Sequence, residues 1–207
     1  LRILIKRNIF FISITNQETQ AIKKYFTNNL IQQISNPIPF NLSDQDTDTK
    51  EKQIIYLGRI HPHKNIDLLI SAFMKANLSD DWKLKIYGIR DDDFYYKKIL
   101  KIIKHEKNIE IFDPIFDDQR QNLMSSSWIN ILVSKSEVLS LSILESSYYG
   151  LPTISNNKIE LDQVQESIIP THNSVEEIKD KIIEVSNWTY DYRIKKGREI
   201  KKQFKKN

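Results

Sequence analysis

One pattern runs through most of the chain: a short apolar run, then an amphipathic stretch long enough for two or three helical turns. Apolar runs at residues 54–58, 84–88, 109–112 and 129–133 are followed by helical spacing at 66–76, 94–105, 117–125 and 141–149. Strict alternation leaves few folds open. Strands separated by helices pair in parallel, and the crossover helices cover both faces of the sheet. The expected fold class is therefore α/β, a doubly wound parallel sheet. Residues 153–155 and 167–169 extend the series as short strands, and Ser174 with Glu177 opens a further helix over 175–185. Gly150 and Pro152 close the helix at 141–149. Upstream, 9–15 reads as a strand, and Thr15 with Glu18 caps a helix reaching Phe26. Asn36-Pro37-Ile38-Pro39 breaks the pattern, and 41–52 is a polar linker.

Composition narrows the function classes. Of 207 residues, 40% are hydrophobic and 28% charged, which excludes wholesale disorder. No apolar run approaches the length of a membrane span. The absence of cysteine excludes a disulfide scaffold, a thiolate metal site and a cysteine nucleophile, and suits a reducing cytoplasm. The chain begins at Leu1 without a signal-peptide pattern and reads as starting inside a larger gene product. Its net charge of +4 is uneven: residues 193–207 carry +7, leaving −3 on the rest. A basic C-terminal helix on an acidic body points to an anionic partner surface.

In open parallel sheets ligands sit beyond the carboxyl ends of the strands, so chemistry is sought in the loops at 58–65, 88–93, 113–117 and 134–140. The first reads G-R-I-H-P-H-K-N. Gly58 permits a tight turn, Arg59 offers a planar fork and Lys64 a compact charge, a set suited to a diphosphate. The last carries Glu137, with Glu145 eight residues on and a helix expected to start near Leu139. Free N–H groups at such a start favour an anion. Eight helical residues span ~12 Å, too far for the 5–9.5 Å carboxylate pair of a glycosidase. The glutamates read instead as separate acceptors for hydroxyls along an extended ligand. His61 and His63 lack a third ligand at convincing spacing, so no metal site is expected. Trp82, Trp128 and Trp188 read as core or core edge, Tyr95 and Tyr96 as a packing face, and Asp91–Asp93 as a helix-start charge set.

Taken together, G-R-I-H-P-H-K, the Glu137…Glu145 spacing and G-L-P-T-I resemble the C-terminal domain of retaining nucleotide-sugar glycosyltransferases of the GT-B fold, the glycosyltransferase group 1 family. The resemblance runs from about residue 15 to 185, and Asn36-Pro37-Ile38 resembles the crossover between the two domains. It implies a Rossmann-like C-terminal half with only a remnant of the N-terminal domain. The divisions are 1–40 as the tail of the acceptor domain and crossover, 41–52 as linker, 53–190 as donor domain and 191–207 as basic C-terminal helix. It further implies transfer of a sugar, with retention, from a nucleotide-diphosphate donor of UDP or GDP type to a glycan or lipid-linked acceptor, as in surface polysaccharide biosynthesis, without metal or cofactor.

By the same resemblance Arg59 and Lys64 hold the diphosphate, Glu145 the ribose and Glu137 the transferred sugar. Gly58 shapes the first loop. Val138, Leu139, Ser140 and Leu141 receive the distal phosphate, and Asp113, Pro114 and Ile115 lie against the nucleobase. The implied location is cytoplasmic, peripheral on the inner membrane through 193–207. Departures from the family pattern are Asn65 for a glycine, Val138 and Ser140 for the glycines of an E-G-F-G loop, Val133-Ser134 for Pro-Ser, and Gly88-Ile89-Arg90 for Gly-x-Gly. The alternative function is a non-catalytic module using the basic tail on an anionic partner such as nucleic acid. Phe204 is its only aromatic, which argues against stacking on single strands.

Overall fold

The computed structural model describes residues 9–27, 29–34, 49–137, 140–156 and 162–205. Its elements are β1 (Phe11–Ser13), α1 (Asn16–Tyr25), β2 (Ile31–Gln33), β3 (Gln53–Leu57), α2 (Ile66–Ala76), β4 (Lys83–Tyr87), α3 (Asp93–Ile102), β5 (Ile109–Phe112), α4 (Asp117–Ser126), β6 (Ile129–Leu132), α5 (Leu141–Tyr148), β7 (Thr153–Ser155), β8 (Ile168–Pro170), α6 (Val175–Ser186) and α7 (Tyr190–Lys205). Two 3-10 turns, Pro62–Lys64 and Asp162–Ser167, join them. The crossover at 36–38 and most of the 41–52 linker lie outside the described residues.

Strands β3 to β8 form one parallel sheet in the order β5-β4-β3-β6-β7-β8, and β1 pairs in parallel with β2. The expected doubly wound sheet is present. Its order reverses between β3 and β6, where Ile54 pairs with Ile129 and Ile55 with Asn130. Every residue of β3 and β6 is buried, because helices cover both faces there. On one face Ile54, Tyr56, Leu84 and Ile86 meet Leu69 and Phe73 of α2, Ile99 of α3 and Ile182 of α6. On the other, Ile55 and Leu57 meet Leu123 and Met124 of α4, with Tyr149 and Leu151 behind α5. Trp82 and Trp128 are buried edge to face, and Trp188 packs partly buried against the same core.

Both capping boxes form on one side: Thr15 accepts from the Glu18 N–H and Ser174 from the Glu177 N–H. The Glu18 carboxylate reaches one residue further back than a standard box, to the Ile14 N–H at 2.7 Å. Asp92 caps α3 by accepting from Tyr95, while its neighbour Asp91 turns to Arg59.

The C-terminal helix is more than a charged tail. Arg193, Gly197, Ile200 and Phe204 form a buried stripe along α7, which packs on α5 and the 162–167 turn. Gly150, at φ 65°, and Gly197 are each other's counterpart: a β-carbon on either would come within 3 Å of the other's carbonyl oxygen. Arg193 is fully buried and makes no ion pair among the described residues. Its Nε donates to Trp128 O at 2.6 Å, Nη1 to Gly150 O at 3.2 Å and Nη2 to Ser127 O at 3.3 Å. Burial pulls its pKa down to about 9, so the guanidinium stays charged at neutral pH. Thus one of the tail's basic residues is structural. Lys196 is spent on Glu166 at 2.8 Å, while Lys195, Arg198 and Lys202 remain on the outer face.

Arg193→Met would leave three carbonyls buried without donors at the junction of α7, β6 and α5. The expected cost is about 3 kcal/mol or more, a fall in Tm of about 6–12 °C for a domain of this size, checked by thermal denaturation.

Candidate active site

The crevice above the β3–β6 pair is built by two loops that emerge side by side. The first begins with Gly58, where the chain closes down on its own strand. A β-carbon there would lie 2.7 Å from the Tyr56 hydroxyl, which donates to the Arg59 carbonyl at 2.9 Å. Burial first, and the Glu137 charge second, drive the Tyr56 pKa upward, so this phenol stays a neutral donor under the site. Gly88, at the end of β4, lies closer still: its β-carbon would fall 1.7 Å from the Gly58 carbonyl oxygen. No other residue type fits there.

His61 then caps the Pro62–Lys64 turn, its Nδ1 accepting from the His63 N–H at 3.1 Å. The second histidine of the H-x-H faces solvent. Asn65 follows at φ 51°, ψ 39°. This left-handed position is where the family pattern has glycine, and asparagine is the residue that next best tolerates it. Here Asn65 also acts as a donor: Nδ2 reaches Val133 O at 3.0 Å. Asn156 Nδ2 holds Ser134 O at 2.8 Å and Asn173 Oδ1 at 2.6 Å. Two amides thus fix the carbonyls at the end of β6, and the Lys135 N–H to His63 O bond at 2.9 Å ties the two loops together.

On that frame Lys64 Nζ meets Glu137 Oε1, with side chains only 15% and 13% exposed. Ser134 Oγ donates to the same oxygen at 2.8 Å. Two residues proposed from sequence for adjoining parts of one ligand are therefore in direct contact. Arg59 is further out and exposed, with Nη1 on Asp91 at 2.8 Å. Such an exposed pair is worth about 0–1 kcal/mol and leaves Arg59 free to exchange partners.

The helix after the second loop starts at Leu141, where the apolar spacing placed it, and not near Leu139. Ser140 has extended backbone (φ −89°, ψ 123°), its carbonyl accepts from Ile143 and Leu144, and no side chain caps the end. Among the described residues the first-turn N–H groups have no side-chain acceptor. Val138 and Leu139 lie outside the described residues. Glu145 is buried in α5 at 7% exposure. Its partner is Arg120, a residue sequence reading missed: Nε donates to Oε2 at 2.8 Å, and Nη2 converges on the same oxygen. Pro114 and Ile115 precede α4, with Ile115 packed on the Ile55–Leu57 cluster. Beside them Tyr87 and Phe112 stack at 4.7 Å across the ends of β4 and β5. Arg90 covers the Tyr96 ring at 4.6 Å and reaches Asp113 at 3.4 Å.

An anion-receptive crevice at a sheet reversal, with cations on the first loop and an acidic acceptor on the second, is what nucleotide-binding α/β domains present. A profile of the family described as "Glycosyl transferases group 1" matches residues 38–205. The chain belongs to that family. It is 27% identical over 168 residues to an uncharacterized glycosyltransferase of Haemophilus influenzae, covering 78% of this chain and 47% of that protein. Among solved structures, TarM superposes with a TM-score of 0.76 at 21% identity over 100% of this chain and 42% of its own. The pneumococcal O-GlcNAc transferase GtfA, solved with UDP and GlcNAc, superposes at 0.67 and 21% identity over 95% and 44%. These likenesses bear out a Rossmann-like half of the GT-B type of fold. The chain spans about half the length of the curated relative it matches.

Asn65→Ala removes the Val133 bond and puts an ordinary residue in the left-handed region. The expected loss is about 1–2 kcal/mol in urea denaturation, and Asn65→Gly, which relieves the backbone, should lose less.

Proposed function

We propose that this chain is the nucleotide-sugar-binding half of a glycosyltransferase that transfers a sugar, with retention, from a nucleotide-diphosphate donor of UDP or GDP type. The observation that carries this reading is the convergence at the β3–β6 reversal of Lys64, Glu137 and the uncapped start of α5. The UDP and GlcNAc bound by GtfA support it as an analogy of site and ligand. Arg59 and Lys64 would take the diphosphate, together with the N–H groups around Ser140 and Leu141. Glu145 would take the ribose, Glu137 the transferred sugar, and Pro114-Ile115 the base.

Charge makes the exchange feasible. A diphosphate entering between Lys64 and Glu137 replaces one carboxylate on the ammonium by phosphate oxygens of at least equal charge, and leaves Glu137 free to accept from sugar hydroxyls. As the donor bond breaks, negative charge grows on the departing diphosphate, where these fixed cations and N–H dipoles stabilise it.

The acceptor, a glycan or lipid-linked sugar, would be read by a facing acceptor domain. Residues 9–34 suit continuity with such a domain: Phe10, Ile12, Leu30 and Ile34 are exposed apolar side chains around a two-stranded sheet, which is marginal alone. We further infer a cytoplasmic enzyme of surface-glycan synthesis that touches an anionic membrane through Lys195, Arg198 and Lys202. No helix among the described residues is long and apolar enough to cross a membrane. The nucleic-acid reading gains nothing from the structure, since Phe204 and Arg193 of the tail are buried in the protein.

A thermal-shift panel of UDP, GDP and ADP tests the reading directly, because a ligand of the native state raises Tm by mass action. If none of them shifts Tm, the proposal falls. Arg59→Ala should weaken the best nucleoside diphosphate by about 1.5–3 kcal/mol without unfolding the protein, read by calorimetry. The two glutamates should separate: Glu145→Gln lowers affinity for the plain diphosphate and the sugar donor alike, whereas Glu137→Gln weakens only the sugar donor.

A further inference from the structure

Arg120 and Glu145 make an unusual pair. An arginine fork facing a carboxylate commonly spends two N–H groups on two oxygens. Here Nε, at 2.8 Å, and Nη2 both converge on Oε2. Oε1 of Glu145 makes no hydrogen bond among the described residues. A carboxylate has about four lone-pair sites, so this geometry leaves one whole oxygen to accept. Glu145 is buried, and a charge so placed requires a counter-charge, which Arg120 supplies from a neighbouring helix.

The origin of Arg120 matters as much as its contact. It lies in the first turn of α4, directly after the Asp113–Phe116 segment, and its N–H bonds to Phe116 O at 3.4 Å. Asp117 enters that turn at φ 46°, with no side-chain cap. The helix is anchored by Leu123 and Met124 against Ile55 and Leu57. A packed helix therefore delivers the guanidinium, and the turn that follows the segment proposed for the base also fixes the carboxylate on α5.

We propose that Arg120 is a positioning residue that aims Glu145 at the ribose of the bound nucleotide, holding Oε2 and presenting Oε1 to the sugar diol. This rests on the reading that Glu145 meets the ribose of a nucleoside diphosphate. Arg120 itself touches the carboxylate, not the transferred sugar, and its effect is to make the site discriminate ribose from deoxyribose.

The test is calorimetric titration of the chain with the nucleoside diphosphate the panel selects and with its 2′,3′-dideoxy analogue. The unmodified protein should favour the ribonucleotide roughly tenfold, the scale of a hydrogen bond to a charged group. Arg120→Met should collapse that preference to within about twofold, with the larger loss falling on the ribonucleotide. Circular dichroism accompanies each variant, since removing the counter-charge of a buried carboxylate can cost the fold. Arg120→Lys, which keeps the charge but cannot place two donors on one oxygen, should lower the preference at least threefold. Retention of the full preference in either folded variant overturns the positioning role and leaves the proposed function standing. Equal weakening of both ligands also overturns it, since Arg120 would then serve the base or diphosphate. No preference in the unmodified protein removes the ribose role of Glu145, and no binding of any nucleoside diphosphate removes both readings.

Discussion

The parallel pairing of β3 with β6 is the constraint on which the rest depends. These strands are adjacent in space, with α2, β4, α3, β5 and α4 between them in sequence. The sheet grows outward from them in opposite directions, so the loops that follow part above the sheet and leave a crevice between them. Burial of both strands on both faces makes that base rigid. Each large apolar side chain there contributes about 1.5–3 kcal/mol relative to an exposed one, an upper range because unfolded chains already bury some surface. The weaker polar contacts above, those of Asn65, Asn156 and the Lys135 N–H, need only set the loops on a platform that does not move.

Within the crevice the protein meets a conflict between function and electrostatics. A site for an anion gathers cations, and unpaired cations gathered in a half-buried space repel and lose hydration. Three cations here have an acid of their own: Arg59 with Asp91, Lys64 with Glu137, Arg120 with Glu145. The pairs differ in depth, and depth sorts their roles. The outer pair is exposed and cheap to part. The Lys64 pair is mostly buried, and in the proposed function it is the one that a diphosphate parts by substituting one anion for another. The Arg120 pair is held on two helices, and in the proposed reading it stays intact and orients Glu145.

Much of the fold was legible because periodicity reports burial directly. Helix α2 and strands β5 and β7 fall where the apolar spacing put them, and the other main elements differ by a few residues at their ends. The apolar spacing also placed the start of α5 at Leu141. Only the expectation of free N–H groups near Leu139 ran two residues early, because Leu139 and Ser140 fit a helix and an extended N-cap equally well as letters. The Lys64–Glu137 meeting was half legible, since both residues lie in loops that the strand order brings together, though their contact depends on the turn at Asn65. Arg120 carried no signal at all: it is 25 residues from Glu145, on a helix with a mostly polar surface, and only the packing of α4 over β3 reveals the pair. The basic tail misled in part, because a charge count cannot show that Arg193 points inward.

The shortage of glycine has a physical logic that the family comparison obscures. The chain has four glycines, and at each an added β-carbon would meet another atom at less than 3 Å. Glycine is kept where space demands it, at Gly150 together with a left-handed backbone. Where the demand is only a left-handed backbone, as at Asn65 and Asn77, asparagine takes the place. That choice has a benefit at the site: a glycine at 65 would fit the turn but could not hold the Val133 carbonyl, and the end of β6 would lose one of the two amides that fix it. Replacing glycine by asparagine lowers the entropy of the unfolded chain and adds a tether to the folded one. The departure from the family pattern at residue 65 therefore preserves the backbone conformation of the crevice and strengthens its frame.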